Sequence, residues 1–431
     1  MVKNLESCIN RFLEKINQIY HKYHIVADIL FYVCLVIFVV IASVNDMERG
    51  CMLKVILNPV VRETVWIMDR KILPLLAILS LLFDFKDKKM RYAAFFSLFV
   101  ILLYQVTFEN EIVGLIPHCN VYLFGVACLV IAAKGRDFRK IGWVYVVAHA
   151  TFMLLLTALA LTGVVPDLIF EEVGRAARHA LGMHYPLNYA AHWFSIALVY
   201  CYLKNGFLRI WEYISLGALF AVSLFVCKAQ TSTVLFALLI AGTLYRQIRY
   251  GAGKTGLIEQ ARVGKLITGG LKYSFLVLAI FMIVGSLLYV PPISTFLSRI
   301  TPLWTLLSRF DYARIGLMNY FPSALGIRYP TSTWNGTVKS DQYFFIDSSY
   351  ICVLLEQGVV IYMIMMVVWW YIPHRMVKAR RFYGLCLLAL FAVICAMEHH
   401  ILDVAFDPFL LMAFAAIENV GNKRNDIADV K

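Results

Sequence analysis

Residues 113–164 read VGLIPHCNVYLFGVACLVIAAKGRDFRKIGWVYVVAHATFMLLLTALALTGV. Two apolar runs, 113–133 and 141–164, are each long enough to cross a hydrocarbon core of about 30 Å as a helix. Between them lies a short loop that carries Lys134, Arg136, Arg139 and Lys140. The runs are continuous and not alternating, which selects helices over barrel strands.

The same unit recurs along all 431 residues. Spans are expected near 26–44, 66–84, 91–108, 113–133, 141–164, 188–204, 209–227, 231–247, 271–290, 349–372, 382–399 and 407–420. Composition agrees: 61% of residues are hydrophobic and 16% charged, with a mean hydropathy of +0.73. A soluble domain needs about a quarter charged residues to cover its surface, so lipid is part of this chain's solvent. The fold class is therefore all-α and polytopic, with a single transmembrane domain over 25–420.

The net charge of +13 would suggest nucleic acid in a soluble protein. Here the cations sit in short loops between spans, where they report topology. Lys86, Lys88, Lys89 and Arg91 fill the second loop, Lys204 and Arg209 the sixth, and Arg375, Lys378, Arg380 and Arg381 the tenth. Arg246, Arg249, Lys254, Arg262, Lys265 and Lys272 populate the eighth, whereas the third is the acidic Phe108-Glu109-Asn110-Glu111. Both termini are then expected in the cytoplasm, with 421–431 as a tail. In 1–24, Leu5, Ile9, Phe12, Ile16 and Tyr20 share one helical face, and an interfacial amphipathic helix is expected there.

Ten cysteines are scattered singly, without a CxxC pair, which argues against a disulfide framework or a zinc site. Gly251-Ala252-Gly253-Lys254-Thr255-Gly256 superficially resembles a phosphate loop. Ile248 stands where its leading glycine belongs, and a cytoplasmic linker is expected instead.

Two long outward segments remain, 165–187 and 291–348, and they hold seven of the twelve prolines. Loops of that length are usually functional or disordered, and their aromatic content points to order, with short surface helices expected inside them. In the first, Arg175, Arg178 and His179 are spaced i, i+3, i+4, so one helix could aim all three at one point. Arginine forks match phosphate oxygens; pairing with Glu171 and Glu172, or contact with lipid headgroups, is the plainer reading. His184 follows, and Asn188, His192 and Ser195 continue as a polar stripe on the next span, suited to a ligand or to interhelical hydrogen bonds.

The second segment sets Arg299, Arg309, Arg314, Arg328 and Lys339 against Asp311, Asp341 and Asp347, a cationic surface that suits an anionic ligand. Asp347 stands at a helix entry, as an N-cap or a general base. Glu356 is the acidic residue inside a span, functional by default or bonded to a neighbouring helix. Glu398-His399-His400 and Asp403 have metal-ligand types without a recognised spacing, so no metal is assigned; His399 joins Glu356 and His192 as an intramembrane polar candidate.

Three patterns are similar to the Wzy-type polymerases of O-antigen, capsule and exopolysaccharide repeat units. Arg175 through Gly182 to Pro186 and Asn188 resembles that family's arginine–glycine–Pro-Asn entry into a span. Arg309 followed by Gly326 resembles its second outward arginine and glycine. Asp347-Ser348-Ser349-Tyr350 with Gly358 resembles its Asp-Asn-x-Tyr…Gly pattern, with Ser348 in place of the asparagine. Where the family often has Ser-Arg-Thr, this chain reads Cys227-Lys228-Ala229-Gln230-Thr231-Ser232-Thr233; either Lys228 supplies the charge or that contact is absent.

The resemblance implies a GT-C-like glycosyltransferase of the bacterial cytoplasmic membrane that uses no metal or other cofactor. Its substrates would be two undecaprenyl-pyrophosphate-linked oligosaccharides, joined on the outer face with inversion, and a chain-length regulator would be a partner. On that reading Asp347 is the base with His184 behind it. Arg175, Arg178, His179, Asn188, Lys228, Arg309, Arg314 and Tyr350 bind substrate and pyrophosphate. An O-antigen ligase shares topology and leaving group, but tends to carry His-Asn where this chain has Asp347-Ser348. A lipid-linked sugar flippase would want midplane charges and internal repeats.

Overall fold

A computed structural model describes residues 25–44, 118–171, 176–250, 265–289, 301–319 and 346–418. The expected interfacial helix 1–24, the spans near 66–84 and 91–108, the 251–256 linker, Arg175 and the 421–431 tail lie outside the described residues. The described chain is mostly helical. Four helices are long and apolar enough to cross a membrane: Ile25–Val44, Phe138–Leu161, Gln230–Arg249 and Gly358–Lys378.

In chain order the helices are α1 (Ile25–Val44), α2 (His118–Ala132), α3 (Phe138–Leu161), α4 (Pro186–Leu203), α5 (Ile210–Ala221) and α6 (Gln230–Tyr250). They continue with α7 (Lys265–Lys272), α8 (Ser274–Leu287), α9 (Thr301–Asn319), α10 (Ser349–Glu356), α11 (Gly358–Lys378) and α12 (Phe382–Met397). A two-stranded hairpin, β1 (Ile169–Phe170) and β2 (Arg178–His179), precedes α4. Val147, Leu154, Leu155 and Leu161 of α3 are each more than half exposed, as are Met363, Ile364 and Val367 of α11. Such faces on long helices suit lipid and would be liabilities in water.

The chain forms two compact units. The first comprises residues up to Phe152 with Leu411–Ala416. In it Arg136 pairs with Asp28 at 2.9 Å, its guanidinium 4.7 Å from the Phe31 ring. His149 accepts or donates between Ser43 (3.5 Å) and Tyr145 (2.9 Å), so a buried imidazole inside an apolar helix is satisfied by hydroxyls. Ala416 brackets the 136–138 turn, its N–H donating to the Arg136 carbonyl at 2.7 Å and its carbonyl accepting from Phe138 at 3.0 Å.

The second unit runs from Met153 to Leu410 and resumes at Ile417. α4 begins on Pro186, whose missing N–H costs nothing at a first helical position. α5 ends in a π-helical turn, Val222–Val226, and Lys228 then reverses the chain at φ +48. Hydroxyls of Ser223 and Thr233 meet across that reversal at 3.0 Å. α8 packs against α9, α10, α11 and α12.

Two expectations about the spans are corrected. The span near 349–372 is two helices, because Gly358 takes φ +82 between them, a conformation that favours glycine. The described part of the second long loop contains a helix of 19 residues, α9; the short surface helices expected elsewhere in that loop lie outside the described residues. Phe310 of α9 lies against α8 so closely that a Cβ on Gly285 would come within 2.7 Å of its ring; this docking stabilises the helix.

The second correction concerns the last span. Residues 407–418 are not a continuous helix: Pro408–Ala413 forms a 3-10 turn, and every residue from 404 to 413 is buried. Irregular backbone is tolerated at membrane depth only where protein surrounds it. Asp407-Pro408 favours the break, since the residue before proline is steered away from helical geometry.

Candidate functional site

The site is built where α9, α10 and the turn after α12 meet. α9 carries Arg309, and the residues leading into α10 carry Asp347; the two side chains form an ion pair. They are 16% and 17% exposed, so water screens the pair little. Ser348, and not Asp347, is the N-cap residue of α10. The carboxylate is thus committed to arginine and not to helix amides.

Ser349 joins this corner to the end of α12. Its N–H donates to the Glu398 carbonyl at 3.2 Å and its hydroxyl donates to the same oxygen at 2.5 Å. The Ile401 N–H donates to the Ser349 hydroxyl at 3.2 Å. Glu398 is itself 4% exposed, and its carboxyl lies within electrostatic reach of Asp347 and Arg309.

Burial disfavours charge on both acids. It raises Asp347 to about 6, against the lowering pull of Arg309. Glu398, beyond the end of α12, is raised to about 8 by burial and then by the Asp347 charge, with Arg309 opposing. With one arginine near two buried carboxyls, burial makes both acids resist ionisation.

From Glu398 the polar groups continue through a stack of rings. His400 Nε2 lies 4.0 Å from a Glu398 carboxylate oxygen. Its ring stacks on Phe406 at 3.5 Å, and His192 stacks on Phe406 at 4.0 Å. His399 lies against His400 with ring centroids 4.6 Å apart. Among the described residues no group of three or more His, Cys, Asp or Glu side chains is placed to hold a metal ion.

The first long loop differs from expectation. Arg178 and His179 lie in β2, not on a helix, so they face opposite ways. Arg178 is 6% exposed and donates to the Tyr185 hydroxyl at 3.2 Å. His179 donates through Nδ1 to Asp167 at 2.6 Å, and the other Asp167 oxygen accepts the Leu181 N–H at 2.7 Å. Asp167 therefore holds the hairpin closed. Gly182 follows at φ +87, with Leu156 2.8 Å from where a Cβ would stand.

The remaining candidates scatter. Arg314 donates to Asp311 at 3.0 Å along its own helix. Tyr350 is fully buried, its hydroxyl donating to the Ala392 carbonyl at 3.0 Å. Glu356 ends α10 at the Gly358 break. His184, Asn188 and Lys228 are half-buried. Two residues given no role from the sequence, Glu398 and Asp167, turn out to organise the two corners. The run Glu398-His399-His400 was the available signal for the first; nothing local marks Asp167.

No protein-family model, curated protein or solved structure matches the chain.

Proposed function

We propose that the protein is a polysaccharide polymerase of the cytoplasmic membrane that joins undecaprenyl-pyrophosphate-linked repeat units on the outer face. The observation that carries this reading is the Arg309–Asp347 pair: a cation on α9 and a carboxylate at the entry to α10, shielded together near the buried Glu398. The basic short loops support an orientation with this corner outward.

The chemistry needs a fixed cation and a base. The hydroxyl oxygen of one glycan attacks the anomeric carbon of the other, forming the new C–O bond with inversion. The bond from that carbon to the pyrophosphate oxygen breaks, and its electron pair leaves with undecaprenyl pyrophosphate. Arg309 has donors beyond those engaged by one carboxylate and offsets the charge that develops on the leaving group. Asp347 takes the hydroxyl proton; above about pH 6 it is mostly ionised and ready to do so. Arg178, Arg314 and Lys228 add positive charge, and His184 is a secondary base.

Glycan analysis of cells carrying Arg309→Ala should show single repeat units on lipid and no polymer. Long chains at normal abundance, with the mutant protein present in the membrane, would remove Arg309 from this role. Asp347→Asn should bind lipid-linked substrate without turning it over.

A further inference from the structure

The corner holds one more acid than the proposed reaction uses. Glu398 is anchored through its backbone carbonyl by both the N–H and the hydroxyl of Ser349, two residues from Asp347. One of its carboxyl oxygens is buried with no hydrogen-bond partner among the described residues. The charged and titratable groups near it are Asp347, Arg309 and His400. At 4.0 Å the His400 Nε2 is too far to share a proton, and that ring is stacked flat on Phe406.

A charged Glu398 would therefore compete with Asp347 for a single arginine, and would repel any phosphate that approached it. We propose that Glu398 is a positioning residue that works uncharged, leaving Arg309 to Asp347 and to the phosphate of an incoming ligand, and that ionising it closes the site to anions. This rests on the reading of Arg309 as a pyrophosphate contact. Its consequence is an alkaline limit to ligand binding that Asp347 alone would not produce, since that carboxyl, raised only to about 6, is already ionised through the alkaline range.

Two measurements test it on the full-length purified protein. Infrared difference spectra between neutral and alkaline pH, on protein with carbon-13 glutamate, should show a protonated buried carboxyl that Glu398→Gln removes. If the wild-type spectrum has no such glutamate band at neutral pH, the proposal is wrong, whatever the variant does. Calorimetric titration with inorganic pyrophosphate should then show wild-type affinity falling about tenfold from about pH 7 to about pH 9, the size of one added like charge nearby. In Glu398→Gln the fall should vanish, with neutral-pH affinity kept within about twofold. An identical alkaline fall in the variant overturns the role of Glu398 while leaving Arg309 in place. If pyrophosphate binds equally well to wild type and Arg309→Ala, the reading of Arg309 as a pyrophosphate contact fails, and this proposal fails with it.

Discussion

At the level of single residues, burial sorts the candidates. Tyr350 has its hydroxyl on the Ala392 carbonyl and no exposed surface, so Tyr350→Phe should cost about 1 kcal/mol of stability. Substrate affinity should be unchanged; a thermal melt and a binding assay separate the two effects. Asp347 has the opposite signature, a carboxyl raised to about 6 by burial and kept from rising further by Arg309. A base raised in this way is protonated below that value and ionised above it. Polymer formation should therefore rise through about pH 6, and Asp347→Asn should remove the activity at every pH in the same assay. Both residues sit in one recognisable motif, yet the motif alone does not distinguish them. What separates them is which way each side chain turns at the entry to α10.

Among the elements, α9 decides whether the corner forms, because it carries Arg309 and is held to α8 by Phe310 against Gly285. The space there is smaller than a methyl group requires. Gly285→Val should force the helices apart, at a cost of about 1–3 kcal/mol by the general scale of overpacking, and should lower activity by displacing Arg309. Restoring space with Phe310→Leu should recover part of the thermal midpoint and of the activity together. The hairpin makes a related point. The spacing of Arg175, Arg178 and His179 matches a helix, but Asp167 captures both His179 and the Leu181 N–H. Two charge-assisted bonds from one side chain outweigh a propensity worth a few tenths of a kcal/mol per residue.

For the whole molecule, the orientation is testable against a favourable background. Cys34, Cys128, Cys201, Cys227, Cys352 and Cys395 are buried, so once Cys8, Cys51, Cys119 and Cys386 are replaced by serine an introduced cysteine should report on its own position. With an impermeant maleimide added outside intact cells, Asp311→Cys should label readily and Lys378→Cys should not. The reverse pattern would put the Arg309–Asp347 corner on the cytoplasmic side and remove the polymerase reading. The buried stretch 404–413 also belongs to this scale. Its 3-10 turn is sheltered by neighbouring protein, and nothing in its own hydropathy distinguishes it from a spanning helix.

The sequence by itself determined that lipid is part of the solvent, that long apolar helices carry the fold, and that basic residues collect in the short turns between them. These are sums over neighbouring residues, and hydropathy and charge add up locally. It also placed Arg309 and Asp347 in the same long segment between apolar runs. Only the tertiary structure decided that they pair with each other, that Glu398 lies behind them, that Arg178 turns inward to Tyr185, and that the last apolar run is not a helix. Most of those outcomes are choices of partner, made by burial and by the few donors and acceptors available once water is gone. Composition and spacing carry no record of such a choice.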